Sequence, residues 1–131
     1  MIGHPVPQQS EWEVRGAPVD QGCTTARSAD VPGVYAILEG GKVRRITIGE
    51  GSKVKLAEGI GVGSREGQLK AKFPSFREEP HKYEEAPAKY IGSHDLKPGA
   101  SGWRFEIAST GKVSRIHVGQ MPVLAYVEGC G

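Results

Sequence analysis

The sequence predicts a single α+β domain over residues 1–131. We expect a mostly antiparallel sheet of about six or seven strands, built from two related hairpins, with one short helix packed on a face. Three observations predict this class. The chain of 131 residues has the size of one domain. Its 19 glycines and nine prolines favour short strands and frequent turns over long helices. Finally, the segment 41–49 recurs as 111–119, with six of nine positions identical.

The strands of the first half are predicted from short alternating segments between turn residues. They are Glu11–Arg15, Cys23–Ser28, Val34–Glu39 and Lys42–Ile48. The pair Gly40-Gly41 is typical of a tight hairpin turn between the last two. Residues 1–10 are polar and contain two prolines, so we expect a loose tail there.

One helix is predicted between the two hairpins, over Arg65–Phe73. Ser64 is the candidate N-cap, Leu69 and Phe73 share one helical face, and Pro74 ends the helix. An internal glycine costs about 1 kcal/mol relative to alanine. The helix is therefore expected to depend on packing against the sheet.

The second half repeats the hairpin design. Its predicted strands are Tyr90-Ile91, Trp103–Ala108, Lys112–Val118 and a final Val123–Glu128. The match between the hairpins extends upstream, where Tyr35 and Ile37 stand opposite Phe105 and Ile107 at the same offset. The predicted core consists of Tyr35, Ile37, Ile46, Ile48, Leu69, Phe73, Phe105, Ile107, Ile116 and Val118.

Strand alternation also predicts a binding surface. If Ile46 and Ile48 face the core, Arg45 and Thr47 face away from it, and the repeat gives Arg115 and His117 the corresponding positions. We expect these four residues to form an exposed polar patch that engages a carboxylate or a protein partner. The alternative is an ordinary solvated sheet face. Tyr83, among the charged residues of 78–90, marks a second candidate contact loop.

Composition argues against several other functions. A net charge of +2, with basic and acidic residues interleaved, does not favour nucleic acid. The chain lacks an apolar run of the roughly 18 residues that a membrane span needs. The four histidines lack zinc-ligand spacing, so no metal or cofactor is expected. No serine or cysteine lies in the context of an activated nucleophile, so no catalytic residue is assigned.

The glycine-rich segment 59–64 has two interpretations. It precedes a helix as a phosphate-binding loop does, but it lacks the terminal Gly-Lys-Ser/Thr and a βαβ setting. Glycines that form tight turns before the helix explain it better.

The two cysteines also leave two possibilities open. Cys23 and Cys130 are far apart in sequence, unlike a redox pair or a zinc cluster. A disulfide between them would close nearly the whole chain into a loop and would indicate a secreted or periplasmic protein. The alternative is two separate buried thiols. The sequence does not define an oligomeric state.

Several motifs in order resemble exported bacterial proteins of unknown function. They are the glycine-punctuated entry to a short helix within 57–74, the segments Pro80–Tyr83 and Gly111–Val113, and the terminal Tyr126-Val127-Glu128-Gly129-Cys130. The resemblance spans about residues 31–130. It implies export and a disulfide, and it brings no established activity.

At fold level, a helix followed by an antiparallel sheet is similar to small outer-membrane-assembly lipoproteins and to β-lactamase-inhibitor-protein-like domains. Those domains have two helices per unit, which this chain lacks in its first half. They bind other proteins through the sheet or its loops. We therefore expect a non-catalytic exported bacterial domain, periplasmic or secreted, that binds a protein or envelope component.

An enzymatic alternative comes from a second resemblance. Gly33-Val34-Tyr35, followed by Thr47-Ile48-Gly49, is similar to the signature of GIY-YIG nucleases. The second tyrosine of that signature is replaced by Thr47. Arg65 and Glu128 are the nearest candidates for the arginine and the metal-binding glutamate that the family requires.

Overall fold

The computed structural model of the chain describes residues 13–15, 23–27, 32–39, 42–56, 58–82, 85–93 and 97–125. These residues form eight strands: β1 Glu13–Arg15, β2 Cys23–Arg27, β3 Val34–Glu39, β4 Lys42–Ile48, β5 Arg77–Pro80, β6 Lys89–Gly92, β7 Ser101–Ile107 and β8 Val113–Gln120. The strands make one antiparallel sheet in the order β1-β2-β3-β4-β8-β7-β6-β5. Among the described residues there is also one short helix, α1, over Glu66–Lys72. The predicted α+β class, dominated by an antiparallel sheet, is confirmed.

Both predicted hairpins are present, and they meet at the centre of the sheet. The first is β3–β4, the second is β7–β8, and β4 pairs with β8. In that central ladder Ile46 pairs with Val118 and Ile48 pairs with Ile116. In the repeat, Ile46 is equivalent to Ile116 and Ile48 to Val118. Each pair of the ladder is therefore the image of the other, and an approximate two-fold axis passes beside the pair of Thr47 and His117.

The upstream extension of the repeat is out of register by one residue. Each hairpin has a β-bulge on its second strand, where Arg44 and Ser114 occupy equivalent extra positions. The second turn is one residue longer, however, since three residues separate Ala108 from Lys112 whereas two separate Glu39 from Lys42. The counterpart of Tyr35 in the pairing is therefore Arg104, not Phe105.

One face of the sheet carries the apolar core. A single row of paired apolar residues crosses this face, formed by Val34, Ile48, Ile116, Phe105 and Ile91. They join Ile60, Leu69, Ile107 and Val113 in a single buried cluster. The rings of Phe73 and Phe76 stack 4.8 Å apart against Phe105 and complete this side.

Helix α1 covers this apolar face through Leu69, which is fully buried. The helix begins after Arg65, not after the predicted Ser64, and the amide of Arg65 donates to the side-chain oxygen of Gln68 at 2.8 Å. The glycine-rich segment before it pairs with β8: Gly63 donates to Val113 O at 2.8 Å, and Val113 donates to Ser64 O at 2.7 Å. These bonds account for the segment as a structural connection.

Four charged side chains fasten α1 to the edge of the sheet. Lys70 contacts Glu66 at 2.7 Å and Glu78 at 3.1 Å, and Lys89 contacts the same two carboxylates at 3.0 and 2.8 Å. Hydrogen bonding to these lysines lowers the pKa of both glutamates. The network lies near the surface, where solvent screens the charges, so each pair contributes little to stability.

The prediction and the structure differ at two elements. Strand β5 was not predicted because all four of its residues are exposed and it lacks the apolar alternation of a core strand. The predicted strand Val123–Glu128 is wrong at its start, where Val123–Ala125 form a 3-10 turn. Its remainder lies outside the described residues, as does the predicted tail 1–10. Among the described residues, no helix has the length and apolar character to span a membrane.

Candidate functional site

The second face of the sheet is polar, and its side chains form two parallel rows. In one row Tyr35, Thr47, His117 and Arg104 are neighbours across β3, β4, β8 and β7. Tyr90, Glu106 and Arg115 form the adjacent row across β6, β7 and β8. Residues directly opposite each other in an antiparallel ladder project to the same face. The pairing therefore gathers hydroxyl, imidazole, carboxylate and guanidinium groups from five strands.

A chain of hydrogen bonds connects the two rows. Thr47 Oγ1 lies 2.7 Å from His117 Nδ1, and His117 Nε2 lies 2.6 Å from Glu106 Oε2. Glu106 Oε1 then lies 3.2 Å from His81 Nε2. Because an ionised carboxylate only accepts, the proton of a neutral His117 sits on Nε2, and Nδ1 accepts from the Thr47 hydroxyl.

Burial and hydrogen bonding set the charge states of this chain. Burial raises the pKa of Glu106, but the hydrogen bond from His117, together with the charge of Arg115 and the hydrogen bond from His81, outweighs burial and holds the pKa below its ordinary value. Burial lowers the pKa of His117, opposed by Glu106 and assisted by the charge of Arg45. Near neutral pH the network therefore holds an ionised carboxylate beside an uncharged imidazole.

The prediction that these four strand residues are exposed is wrong for three of them. Arg45, Thr47 and His117 lie on the face opposite the apolar core, as alternation predicts, but they are only 1, 0 and 4% exposed. Of the four strand positions, Arg115 alone is exposed, with 53% of its side chain accessible. The candidate Tyr83 lies outside the described residues. The binding role assigned to these residues stays a prediction.

Arg45 is buried because two glycines leave space beside it and a turn covers it. It stands in one row with Gly119 and Gly102, which lack side chains. The 3-10 turn packs over this row, and Arg45 Nη1 donates to the carbonyl of Val123 at 3.3 Å. Burial lowers the pKa of Arg45, while the nearby Tyr35 raises it. Arg45 therefore joins the 3-10 turn to the sheet.

The chain of Thr47, His117 and Glu106 has the composition of a catalytic triad, but its geometry differs from one. Thr47 has no accessible surface, so a substrate cannot reach its hydroxyl in this arrangement. The hydroxyl is on Nδ1 and the carboxylate on Nε2, the reverse of the serine-protease arrangement. In the structure, the hydrogen bonds among Thr47, His117 and Glu106 hold the Glu106 carboxylate in place.

A small depression opens beside Tyr90 on the polar face. The guanidinium carbon of Arg104 lies 4.0 Å from the centroid of the Tyr90 ring, and the His81 ring stacks against the same tyrosine at 4.7 Å. Arg77, Glu79, Gly92 and Ser93 complete the lining around about 40 Å³. The nearest carboxylate, that of Glu79, lies 4.0 Å from Arg104 Nη2. This space fits one anionic group.

A second and larger cavity, of about 270 Å³, lies at the start of β8. Its lining comprises Glu50, Val62, Glu106, Ser114 and Arg115. It therefore shares Glu106 with the hydrogen-bonded network of the polar face. Acidic, basic, hydroxyl and apolar groups meet in this one space.

The residues proposed for a nuclease site do not converge. Tyr35 alternates with Val34 and Ala36, which belong to the two apolar clusters, so its side chain lies on the polar face. Arg65 directly precedes α1, which packs on the apolar face. Glu128 lies outside the described residues. Among the described residues, no group of three or more His, Cys, Asp or Glu side chains is placed to hold a metal ion.

Sequence reasoning missed Arg104, Glu106, His81 and Glu50, whereas Tyr90 ends the candidate contact loop 78–90. A signal existed for two of them, because Phe105 and Ile107 were placed in the core, and alternation then turns Arg104 and Glu106 to the polar face. No such pattern exists for His81 and Glu50, which lie outside regular strands.

No protein-family model, curated protein or solved structure matches this chain. The candidate site consequently stands on the geometry of its own residues.

Proposed function

We propose that this chain is a non-catalytic exported bacterial domain that binds a protein through acidic groups of that partner, using the polar face of its sheet. The observation that carries the proposal is the position of Arg104. Its guanidinium is held against Tyr90 at 4.0 Å, and 19% of its side chain stays accessible at the mouth of the depression. A guanidinium fixed in this way recognises a carboxylate with little further loss of side-chain freedom.

The size of the depression supports a protein partner over a free small anion. About 40 Å³ accommodates one carboxylate group and little else. Small-molecule pockets are usually several times larger and enclose most of their ligand. The edge strand β5, whose four residues are all exposed, borders the depression and offers additional contact area. An anchored acidic side chain within a wider, flatter contact fits these dimensions.

A nuclease function is not proposed, because Tyr35 and Arg65 lie on opposite sides of the sheet. We also infer that the two hairpins are copies of one unit, on the strength of their repeated sequence and equivalent bulges. On this view the second copy acquired the binding groups, since His117 and Arg104 replace Thr47 and Tyr35 at corresponding positions.

Binding to a peptide array of matched acidic and amide sequences tests the proposed function. We expect the full chain to bind peptides rich in Asp and Glu, to ignore their Asn and Gln counterparts, and to weaken as salt rises. Arg104→Gln should reduce affinity at least about ten-fold, the effect of losing one charge-assisted contact.

The matched control is Lys72→Gln, which removes an exposed positive charge from α1 on the other side of the sheet. It should leave peptide binding unchanged. Equal losses in the two variants would show a non-specific charge effect, and unchanged binding in a folded Arg104→Gln protein would reject this surface.

A further inference from the structure

The 270 Å³ cavity exists because β4 leaves the sheet before β8 does. The last paired residue of β4, Ile48, stands opposite Ile116, whereas β8 extends back to Val113. At Val113 the partner of β8 is instead the segment that precedes α1, through the two hydrogen bonds with Gly63 and Ser64. Between these two attachments, the chain leaves a gap beside Ser114 and Arg115, and the cavity occupies it.

One lining residue, Glu106, has a carboxylate that two histidines hold in place. Glu106 is only 6% exposed and borders the cavity. One of its oxygens lies 2.6 Å from His117 Nε2, and the other lies 3.2 Å from His81 Nε2. Each carboxylate oxygen has two lone pairs, so both retain capacity to accept a further hydrogen bond. The lowered pKa of Glu106 keeps this group ionised at neutral pH.

Groups of both charges lie nearer the solvent. Arg115 Nη1 is 3.7 Å from Glu106 Oε1, with half of the arginine side chain accessible. Glu50, exposed in the turn after β4, adds a second carboxylate. Val62 gives the lining an apolar contact, and Ser114 contributes a hydroxyl that also donates to Glu106 O at 3.2 Å.

The mixture of charges in the lining favours one class of ligand over others. A ligand with only negative charge would meet the carboxylates of Glu50 and Glu106, and one with only positive charge would meet Arg115. A neutral apolar ligand would remove water from all three charges without replacing their interactions, which is costly. A zwitterion satisfies both signs. The volume, slightly below the range of about 300–1,000 Å³ for drug-sized ligands, limits the ligand to a small molecule.

We propose that this cavity binds a small free α-amino acid. Its ammonium group would lie between Glu106 and Glu50, its carboxylate would contact Arg115, and its side chain would pack on Val62. The cavity involves different residues from the Arg104 depression. The amino-acid site can therefore succeed or fail without regard to the proposed protein-binding function.

Titration of the full chain with free L-amino acids, followed by NMR chemical shifts, tests the proposal. At millimolar concentration at least one of them should produce saturable shifts in the amides of Glu50, Ser114 and Arg115. The amide derivative of that amino acid lacks the carboxylate, and its N-acetyl derivative lacks the ammonium group. Both derivatives should bind at least ten-fold more weakly, as expected from the loss of one charged contact.

Variants then locate the site. Arg115→Gln and Glu50→Gln should each weaken binding of the same amino acid about ten-fold or more. Glu58→Gln changes an exposed glutamate of the same connecting segment outside the cavity lining, and it should have no effect. Thermal melting verifies that each variant is folded. The proposal would be overturned if no amino acid gave saturable shifts, if either derivative bound as tightly as the parent amino acid, or if Arg115→Gln left binding unchanged.

Discussion

The side chain of His117 is hydrogen-bonded both to a fully buried hydroxyl and to the carboxylate of a residue that lines a cavity. Its two ring nitrogens have different partners, Thr47 on Nδ1 and Glu106 on Nε2, both within 2.7 Å. Only the neutral ring both accepts from the hydroxyl and donates to the carboxylate. The direction of the hydrogen bond between His117 and Thr47 therefore depends on the protonation state of a buried imidazole, whereas Nε2 donates to Glu106 in either state.

This dependence makes stability sensitive to pH. Burial holds the pKa of His117 below 6.5, so as pH falls below about 6.5 the unfolded chain binds a proton that the folded protein does not. The free energy of unfolding should therefore decrease from pH 7.5 to 5.5, by at most about 1.4 kcal/mol per pH unit for this residue. The lowered pKa of Glu106 adds a further loss below about pH 4.5.

Urea unfolding of the wild type and His117→Gln at pH 7.5, 6.5 and 5.5 measures the contribution. Glutamine does not titrate but retains a donor, so the variant should be less stable at pH 7.5 and lose less stability on acidification. The difference between the two slopes isolates His117 from the other three histidines. Parallel slopes would show that His117 does not cause the acid sensitivity.

Among the elements, glycine has opposite roles in β8 and in α1. A Cβ atom at Gly119 would lie 2.3 Å from Arg44 O and 2.7 Å from Arg45 Cα, because the two central strands approach closely there. At Gly67, on the exposed side of α1, a Cβ atom would meet no other atom within 4 Å. The strand therefore needs its glycine, whereas the helix is weakened by its own.

Alanine substitution at each position should consequently change stability in opposite directions. Gly119→Ala should lower the free energy of unfolding by about 1–3 kcal/mol, the cost of forcing atoms into a packed site. Gly67→Ala should raise it by about 0.5–1 kcal/mol through helix propensity. Urea denaturation provides both values. Two changes of the same sign would contradict the close approach of β4 and β8 or the open position on α1.

Sequence predicts a feature of these elements when residues close in the chain determine it, and does not when residues distant in the chain determine it. The bounds of β3 and β4 are those predicted, because each strand has clear alternation and a glycine turn. The face occupied by Thr47 and His117 follows from the same alternation. Their burial does not, since the residues that cover a sheet face come from elsewhere in the chain, as the turn at Val123 does over Arg45.

Register explains the other differences. The sequence repeat aligns Tyr35 with Phe105, but the longer second turn shifts the strand by one residue and makes Arg104 the counterpart. A one-residue shift moves every side chain to the opposite face. The contacts between Glu106 and His117 depend on this pairing and on the bulge at Ser114. Local patterns contain no information on how two such irregularities combine, so the hydrogen-bonded network was not predicted.

At the scale of the whole molecule, the disulfide predicted from sequence stays a prediction. Cys130 lies outside the described residues, and Cys23 begins β2, two strands from β4. The 3-10 turn is joined to β4 through Arg45, and five residues follow Ala125 up to Cys130. Five extended residues span at most about 17 Å.

We expect the full chain, prepared under oxidising conditions, to form the Cys23–Cys130 disulfide that the proposed export implies. Its intact mass should be two hydrogens lower than after reduction, and proteolysis should release the two cysteine peptides linked. Closing a loop of this length stabilises the fold by up to roughly 4–5 kcal/mol in the chain-entropy description, so reduction and Cys23→Ser should lower the melting temperature alike. If reductant destabilised Cys23→Ser as much as the wild type, its effect would not arise from this bond. Two free thiols in the oxidised preparation would remove the disulfide, and with it the main physical argument for an oxidising compartment.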